Sequence, residues 1–335
     1  MSNNRPMVSI IIPTCDRAEF LRNALESVRR QTALQEIGQV VVSENGLAGE
    51  SEDVCRQFPD LPILYLQQRP PVPILFHLQA IWKHVQHPLV AFLHDDDWWA
   101  PEHVERALHA LRSNPDCVAA FSNFFETEGP AYPGEVSEKA WRVWVASDRT
   151  FLSPVLNLAA DSVFLACLLH PSFHYSTFLG DRDAAWDSYR KVAETHNEYD
   201  NDRTFPVFLT SHGHIAYLTV PDVYVRMHKG QDSKRDAYRR GGWSPRMIRT
   251  TRWMVETWPA LFAAAVQKFN ATIGSVALDK QMMIASRLGD ELREVLMGEC
   301  GLALPRPAKG VKWFLKQICP PAIWSIGQRL YYMFL

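Results

Sequence analysis

Val90-Ala91-Phe92-Leu93-His94-Asp95-Asp96-Asp97-Trp98-Trp99 is an apolar run that stops abruptly in three adjacent carboxylates and two indoles. Four consecutive apolar residues, Val90 to Leu93, read as a strand covered on both faces, as in a parallel sheet flanked by helices. Three carboxylates at the exit of such a strand repel one another and cost stability unless something compensates them. A divalent cation is the natural compensation, and ligand sites in open α/β sheets lie outside the carboxyl ends of strands. The plainer alternative is an acidic loop that merely leads into the next helix. Pro101 suits a first helical turn, and Val104, Ala107, Leu108 and Leu111 follow at helical spacing.

Upstream, Val8-Ser9-Ile10-Ile11-Ile12 is a β-branched run stopped by Pro13, a good first strand. After the polar turn Thr14-Cys15-Asp16-Arg17, residues Phe20, Leu21, Ala24, Leu25 and Val28 keep helical spacing, with Arg22, Arg29 and Arg30 turned outward. Gln39–Val42 reads as a second strand ending in Ser43-Glu44-Asn45-Gly46, Ile63–Leu66 as a third, and Ile74–Val85 as a helix leading to the opening stretch. Repeated strand–helix–strand units imply right-handed crossovers and a parallel sheet. The turns Thr14–Arg17, Ser43–Gly46 and His94–Asp97 would then gather at one sheet edge, where nucleotides bind. The chain has no Gly-x-Gly-x-x-Gly after the first strand and no P-loop motif, which disfavours a dinucleotide fold and a P-loop enzyme.

Composition bounds the rest. The 335 residues have room for an α/β domain and more, with 47% apolar and 21% charged residues as in a globular enzyme. A net charge of −2 gives no reason to expect a nucleic-acid partner. Six scattered cysteines without a Cys-x-x-Cys pair, several in apolar surroundings, suggest reduced thiols in a cytoplasmic protein. Met1–Met7 lacks the apolar core of a signal peptide, and no spanning segment is expected.

Val8–Thr14, the helix Phe20–Gln31, Val41–Gly46 and Phe92–Pro101 occur in an order and at spacings that resemble family 2 glycosyltransferases of the GT-A fold, a similarity that reaches over roughly residues 7–230. The resemblance implies an α/β GT-A nucleotide-sugar-binding fold with a mostly parallel central sheet, divided into a nucleotide-sugar half (1–122) and an acceptor and catalytic half (123–235). The residue patterning beyond it adds a helical C-terminal appendage (236–304) and a basic, aromatic tail (305–335). By that resemblance Pro13, Thr14, Asp16, Arg17, Glu44, Asn45, Asp95 and Arg226 contact the nucleotide-sugar, while Asp96, Asp97 and His228 hold Mg²⁺ or Mn²⁺. Read alone, Asp16 serves equally as a helix N-cap and Glu44 as a solvated turn carboxylate. Three positions depart from the family pattern. His94 replaces the first acid of Asp-x-Asp-Asp, Glu44 stands where aspartate is usual, and Gln79 or His77 replaces an asparagine one helix earlier.

Cys117–Phe125 reads as the next strand, after which Pro130, Pro133 and Gly134 break the pattern. Trp141, Trp144 and Phe151 either line an acceptor groove, since aromatic faces stack on sugar rings, or pack in a core. The family carries a Glu-Asp pair about a dozen residues before a glycine that opens a strand. Counting back from Gly213 places the pair at Asn201-Asp202 and the base at Asp202, with Asp200 as the competitor. A carboxylate suits that role because it must accept a hydroxyl proton, although an acid cluster before Phe205-Pro206 also reads as a plain helix start. Val225-Arg226-Met227-His228 resembles the family's closing loop, in which a neutral imidazole can reach the metal and arginine the diphosphate.

From Ser244-Pro245 helical patterning runs to about Glu299, with a break near Pro259. In the tail, Lys309, Lys312, Lys316 and Arg329 alternate with aromatic and aliphatic residues. This pattern fits peripheral membrane contact through 309–335, and equally a tail folded back on the appendage. The resulting expectation is a metal-dependent, inverting transferase at the cytoplasmic face of the membrane. It would move sugar from a nucleotide-diphosphate donor to a glycan or lipid-linked acceptor in surface polysaccharide synthesis. The rivals are a non-catalytic glycan-binding or assembly subunit with the same fold, and a sugar nucleotidyltransferase. The latter calls for a glycine- and lysine-rich loop that Pro13–Asp16 is not.

Overall fold

A computed structural model of the chain describes residues 8–127, 155–169, 173–195, 200–226, 228, 245–273, 294–299 and 301–303. Trp141, Trp144, Phe151 and the tail from 305 onward lie outside the described residues. The amino-terminal part alternates β1 (Val8–Thr14), α1 (Ala18–Arg29), β2 (Ile37–Glu44), α2 (Glu50–Cys55), β3 (Ile63–Gln67), α3 (Ile74–Trp82) and β4 (Leu89–Phe92). β1 pairs in parallel with both β2 and β4, and β2 with β3. Successive strand residues go to opposite faces. Ile11, Val41, Val90 and Phe92 enter one core, and Ile10, Ile12, Val40, Val42 and Ala91 enter the other, together with Leu21, Leu25 and Val28 of α1. Burial on both faces is why these strands are continuous apolar runs.

The chain continues through β5 (Trp98–Trp99), α4 (His103–Ser113), β6 (Cys117–Thr127), β7 (Val155–Leu158), α5 (Ala160–Leu169) and β8 (Leu179–Asp181). It then runs through α6 (Arg182–Glu194), α7 (Asn201–Leu209), β9 (His214–Arg226), α8 (Pro245–Thr257) and α9 (Pro259–Ile273). The sheet order is β3-β2-β1-β4-β8-β6-β9-β5, with β7 also on β9. The parallel expectation describes β1–β4 and the β6–β9 pair, but the sheet as a whole is mixed. β8 runs antiparallel to β4 and β6, and β5 and β7 run antiparallel to β9. Gly180 lets β8 fit, because a β-carbon there would lie 2.8 Å from both the Ala119 β-carbon and the Val118 carbonyl oxygen.

Helix α4 starts at His103 rather than Pro101 because its first turn is capped from another element. The Gln31 side chain accepts from the Val104 N–H at 3.0 Å and donates to the Ala100 carbonyl at 2.8 Å. This ties the end of the acidic turn to the end of α1. Helices α8 and α9 share a core with α5–α7 through Met254, Ala265 and Phe269. Buried Arg203 joins them: its guanidinium donates to the carbonyls of Cys167, Leu168 and Met247 and to the Thr251 hydroxyl. Those carbonyls of α5 are helix-end acceptors that a cation suits. Among the described residues no helix is long and apolar enough to cross a membrane, and Cys15, Cys55, Cys117 and Cys167 are free.

Candidate active site

The ends of β1, β2 and β4 open onto a cleft of about 860 Å³. Its lining includes Pro13, Thr14, Arg17, Asn45, His77, His94–Asp97, His174 and Asp202. The turn after β1 is held from beneath by Glu44, which is fully buried rather than solvated. The Glu44 carboxylate accepts the N–H groups of Asp16 at 3.1 Å and Gly46 at 2.6 Å, and the Ser51 hydroxyl. Asp16 adopts a left-handed conformation (φ 52°) and accepts the Ala48 N–H at 2.7 Å through its own carboxylate. It does not cap α1, whose first turn carries no side-chain cap. Asn45 exchanges two hydrogen bonds with the Val72 backbone, at 2.7 and 3.0 Å, and so closes the loop ahead of α3. His77 meets the Ser43 hydroxyl at 2.8 Å, and burial holds its imidazole down to about 4.

The three acids of the opening stretch have different environments. Asp95 accepts the Thr14 hydroxyl at 2.8 Å and faces the Arg17 guanidinium at 3.4 Å. Asp96 meets Arg17 at 3.3 Å and His228 Nε2 at 3.0 Å. Asp97 is the most deeply fixed: its carboxylate accepts the Ser176 hydroxyl at 2.6 Å and the Arg226 backbone N–H at 3.0 Å. Burial, followed by the charge of Asp96, pushes the carboxyls of Asp95 and Asp97 up to about 7. Burial acts the same way on Asp96, but His94, His228 and Arg17 outweigh it and hold that carboxyl below its ordinary value.

Arg226 supports the acidic turn from behind. Its Nε donates to the Asp96 carbonyl at 3.1 Å, and its guanidinium lies between the rings of Phe20 and Trp98, 4.6 and 4.7 Å from their centroids. It lines a second, smaller cavity of about 150 Å³. Phe20, assigned by periodicity to the apolar face of α1, instead packs against Arg226 and His228. Asp202 lines the large cleft from the first turn of α7, whereas Asp200 occupies the N-cap position and its backbone N–H donates to the Thr250 hydroxyl at 2.8 Å. His196–Tyr199 lie outside the described residues.

Sequence reasoning missed two contributors, His174 and Ser176. Both belong to the short segment before β8, which brings the Ser176 hydroxyl to the His94 N–H at 3.1 Å and His174 Nδ1 to within 3.6 Å of Asp97. Burial lowers the His174 imidazole to about 4, Asp96 opposing it. No residue pattern marks this segment, because its single short turn and a three-residue strand carry no periodicity.

Residues 9–150 match the model of glycosyl transferase family 2. Two validoxylamine A glucosyltransferases are similar over 107 residues: that of Streptomyces hygroscopicus subsp. jinggangensis is 33% identical and that of subsp. limoneus 32%. Each match covers 31% of this chain and about a quarter of the relative (25% and 24%). The fold is similar to S. aureus TarS 1-349 in complex with UDP-GlcNAc, with a TM-score of 0.56 and 13% identity over 87% of this chain and 86% of that one. It is also similar to the longer S. aureus TarS structure, with a TM-score of 0.51 at 13% identity over 87% and 52%. The fold is therefore that of the GT-A transferases, and the match to glycosyl transferase family 2 lies in residues 9–150, a little under half of the chain.

Proposed function

We propose that the chain is a metal-dependent, inverting glycosyltransferase that moves a sugar from a nucleotide-diphosphate donor to a hydroxyl of a glycan or lipid-linked acceptor. Surface polysaccharide synthesis at the cytoplasmic face of the membrane is the setting that suits the basic, aromatic tail. The observation that carries the reading is that Asp202 lines the same cleft as the turns after β1 and β4, although it lies more than a hundred residues from either. The boundaries 1–122, 123–235, 236–304 and 305–335 remain our division of the chain into donor half, acceptor half, appendage and tail.

In this reading Pro13, Thr14, Arg17 and Asn45 line the donor's position, and Asp16 and Glu44 shape the turns beneath it. The TarS complex supports a uridine-diphosphate sugar as the first donor to test. Asp202 takes the proton of the acceptor hydroxyl as its oxygen bonds to the anomeric carbon and the bond to the diphosphate breaks. Asp96 and His228, a carboxylate and an imidazole with ligand atoms 3.0 Å apart, suit neighbouring positions on one Mg²⁺ or Mn²⁺. A cation there would offset the charge growing on the departing diphosphate. Arg226 holds the Asp96 carbonyl through its Nε and the Asp97 carboxylate through its backbone N–H, so that the acidic turn keeps its shape.

Donor hydrolysis or transfer should require Mn²⁺ or Mg²⁺ and fall about 10²–10⁴-fold in Asp202→Asn, with donor binding by thermal shift retained. Full turnover in Asp202→Asn, with loss instead in Asp200→Asn, would transfer the base role to Asp200. Donor binding without turnover in the wild type, across donors and acceptors, would favour the non-catalytic subunit.

A further inference from the structure

His94, Asp97 and His174 form a cluster on the cleft wall that the pairing of Asp96 with His228 does not use. One ligand-capable atom from each lies within 4.8 Å of the others. Asp97 Oδ2 is 3.7 Å from His94 Nδ1 and 3.6 Å from His174 Nδ1. Ligands about 2.1 Å from one ion are about 3.0–3.6 Å apart for angles between about 90° and 120°. The two Asp97–imidazole separations lie at the upper end of that range, to within about 0.1 Å, and the set as a whole, within 4.8 Å, has to contract slightly around an ion.

The donor set is also supported from behind. Asp97 is 1% exposed, and the Ser176 hydroxyl and the Arg226 N–H hold its two oxygens. An oxygen that accepts one hydrogen bond still has a lone pair for a metal, and such outer partners are what orient metal ligands. Among the described residues, an ion would displace the long 3.3 Å hydrogen bond from the Ser176 N–H to His174 Nδ1. Both histidines line the large cleft, so the remaining coordination positions would open into it.

We propose that His94, Asp97 and His174 form a second cation site, distinct from Asp96 and His228, that takes Zn²⁺, Co²⁺ or Mn²⁺ in preference to Mg²⁺. Two imidazoles and one carboxylate suit borderline transition metals, whereas Mg²⁺ seeks six oxygens in a strict octahedron. On this account histidine at position 94, in place of the family's first acid, gives the donor set its second nitrogen. The site does not depend on sugar transfer or on Asp202, and its test involves no donor.

The full chain, stripped with a chelator, is titrated with Co²⁺ and followed by visible absorption. The expected result is one Co²⁺ with a d–d band of low-coordinate, nitrogen-containing ligation. The band persists in His228→Ala, resists a hundredfold excess of Mg²⁺ and is bleached by Zn²⁺. His174→Gln weakens this Co²⁺ at least tenfold while melting, metal-free, like the wild type. If that variant does not fold, His94→Asn makes the same comparison at the more exposed ring, 38% against 19%. No band, a band bleached by Mg²⁺, or a band lost in His228→Ala and kept in the His174 or His94 variant would overturn the proposal.

Discussion

Ser176→Ala removes one hydroxyl and, with it, two hydrogen bonds that join the segment before β8 to the acidic turn. Ser176 is fully buried; its oxygen accepts from the His94 N–H at 3.1 Å and donates to Asp97 at 2.6 Å. A hydrogen bond to a charged acceptor contributes about 1.5–3 kcal/mol, and a buried N–H left without a partner costs about 1–3 kcal/mol. Local relaxation recovers part of this, so the expected loss is about 3 kcal/mol at pH 8. Because burial and Asp96 hold the Asp97 carboxyl at about 7, it is mostly ionised at pH 8 and mostly protonated at pH 5.5. The hydroxyl favours the ionised form, so removing it raises that carboxyl further, and the deficit grows with pH through neutrality. At pH 5.5 the expected loss is about 1–2 kcal/mol. Urea midpoints in chelator at the two pH values, with an unchanged slope, provide the measurement. A double-mutant cycle with Asp97→Asn isolates the charged part of the bond, about 1 kcal/mol at pH 8. A loss under about 0.5 kcal/mol at both pH values, or a cost larger at pH 5.5 than at pH 8, would refute this linkage.

Two further outcomes follow from the turns beneath the cleft. His77 binds its proton less readily folded, at about 4, than unfolded, at about 6.5, so its contribution to stability is lost as the pH falls through that range. The loss reaches up to about 3 kcal/mol, and His77→Gln should flatten the difference between urea midpoints at pH 7 and pH 4.5. In Gly46→Ala the new β-carbon would lie 2.2 Å from Asp16 Oδ1, forcing apart the turn that also holds the Ala48 N–H. The expected cost is about 1–3 kcal/mol, with a weaker thermal shift from a uridine-diphosphate sugar. Wild-type stability in this variant would mean the turn has another resting shape.

The legible parts of this chain were those with length and repetition. Val8–Ile12 and Val90–Leu93 are continuous apolar runs because helices cover both of their faces, and such runs need no tertiary information to be recognised. Counting back from Gly213 by the family's spacing led to Asp202, which lines the cleft; its role as the base is our proposal. That glycine is required because a β-carbon would meet the Val118 side chain at 2.7 Å and the Asp116 carbonyl at 2.8 Å. What could not be read came from pieces too short for a period or from side chains that leave their own element's pattern. β5 has two residues and β8 three, so neither the antiparallel insertion nor the arrival of His174 and Ser176 beside Asp97 was visible. Gln31 looked like the end of one helix and turned out to cap another. The matched family region ends at residue 150, so it includes neither Asp202 nor His228.

The division of the cleft between distant parts of the chain also sets an order of assembly. β1–β4 pair through local crossovers and can form as soon as residues 8–92 are available. The acidic turn that ends this unit then waits for the Arg226 N–H, 129 residues later. At synthesis rates of about 5–20 residues per second, Asp97 is made some 6–26 s before that partner. Until that partner exists, three adjacent carboxylates follow β4 without the hydrogen bonds that Arg226 gives Asp96 and Asp97 in the folded chain. Charges beside an open sheet edge disfavour its pairing with another chain, so the same acids that line the finished cleft bear on how the unfinished one behaves.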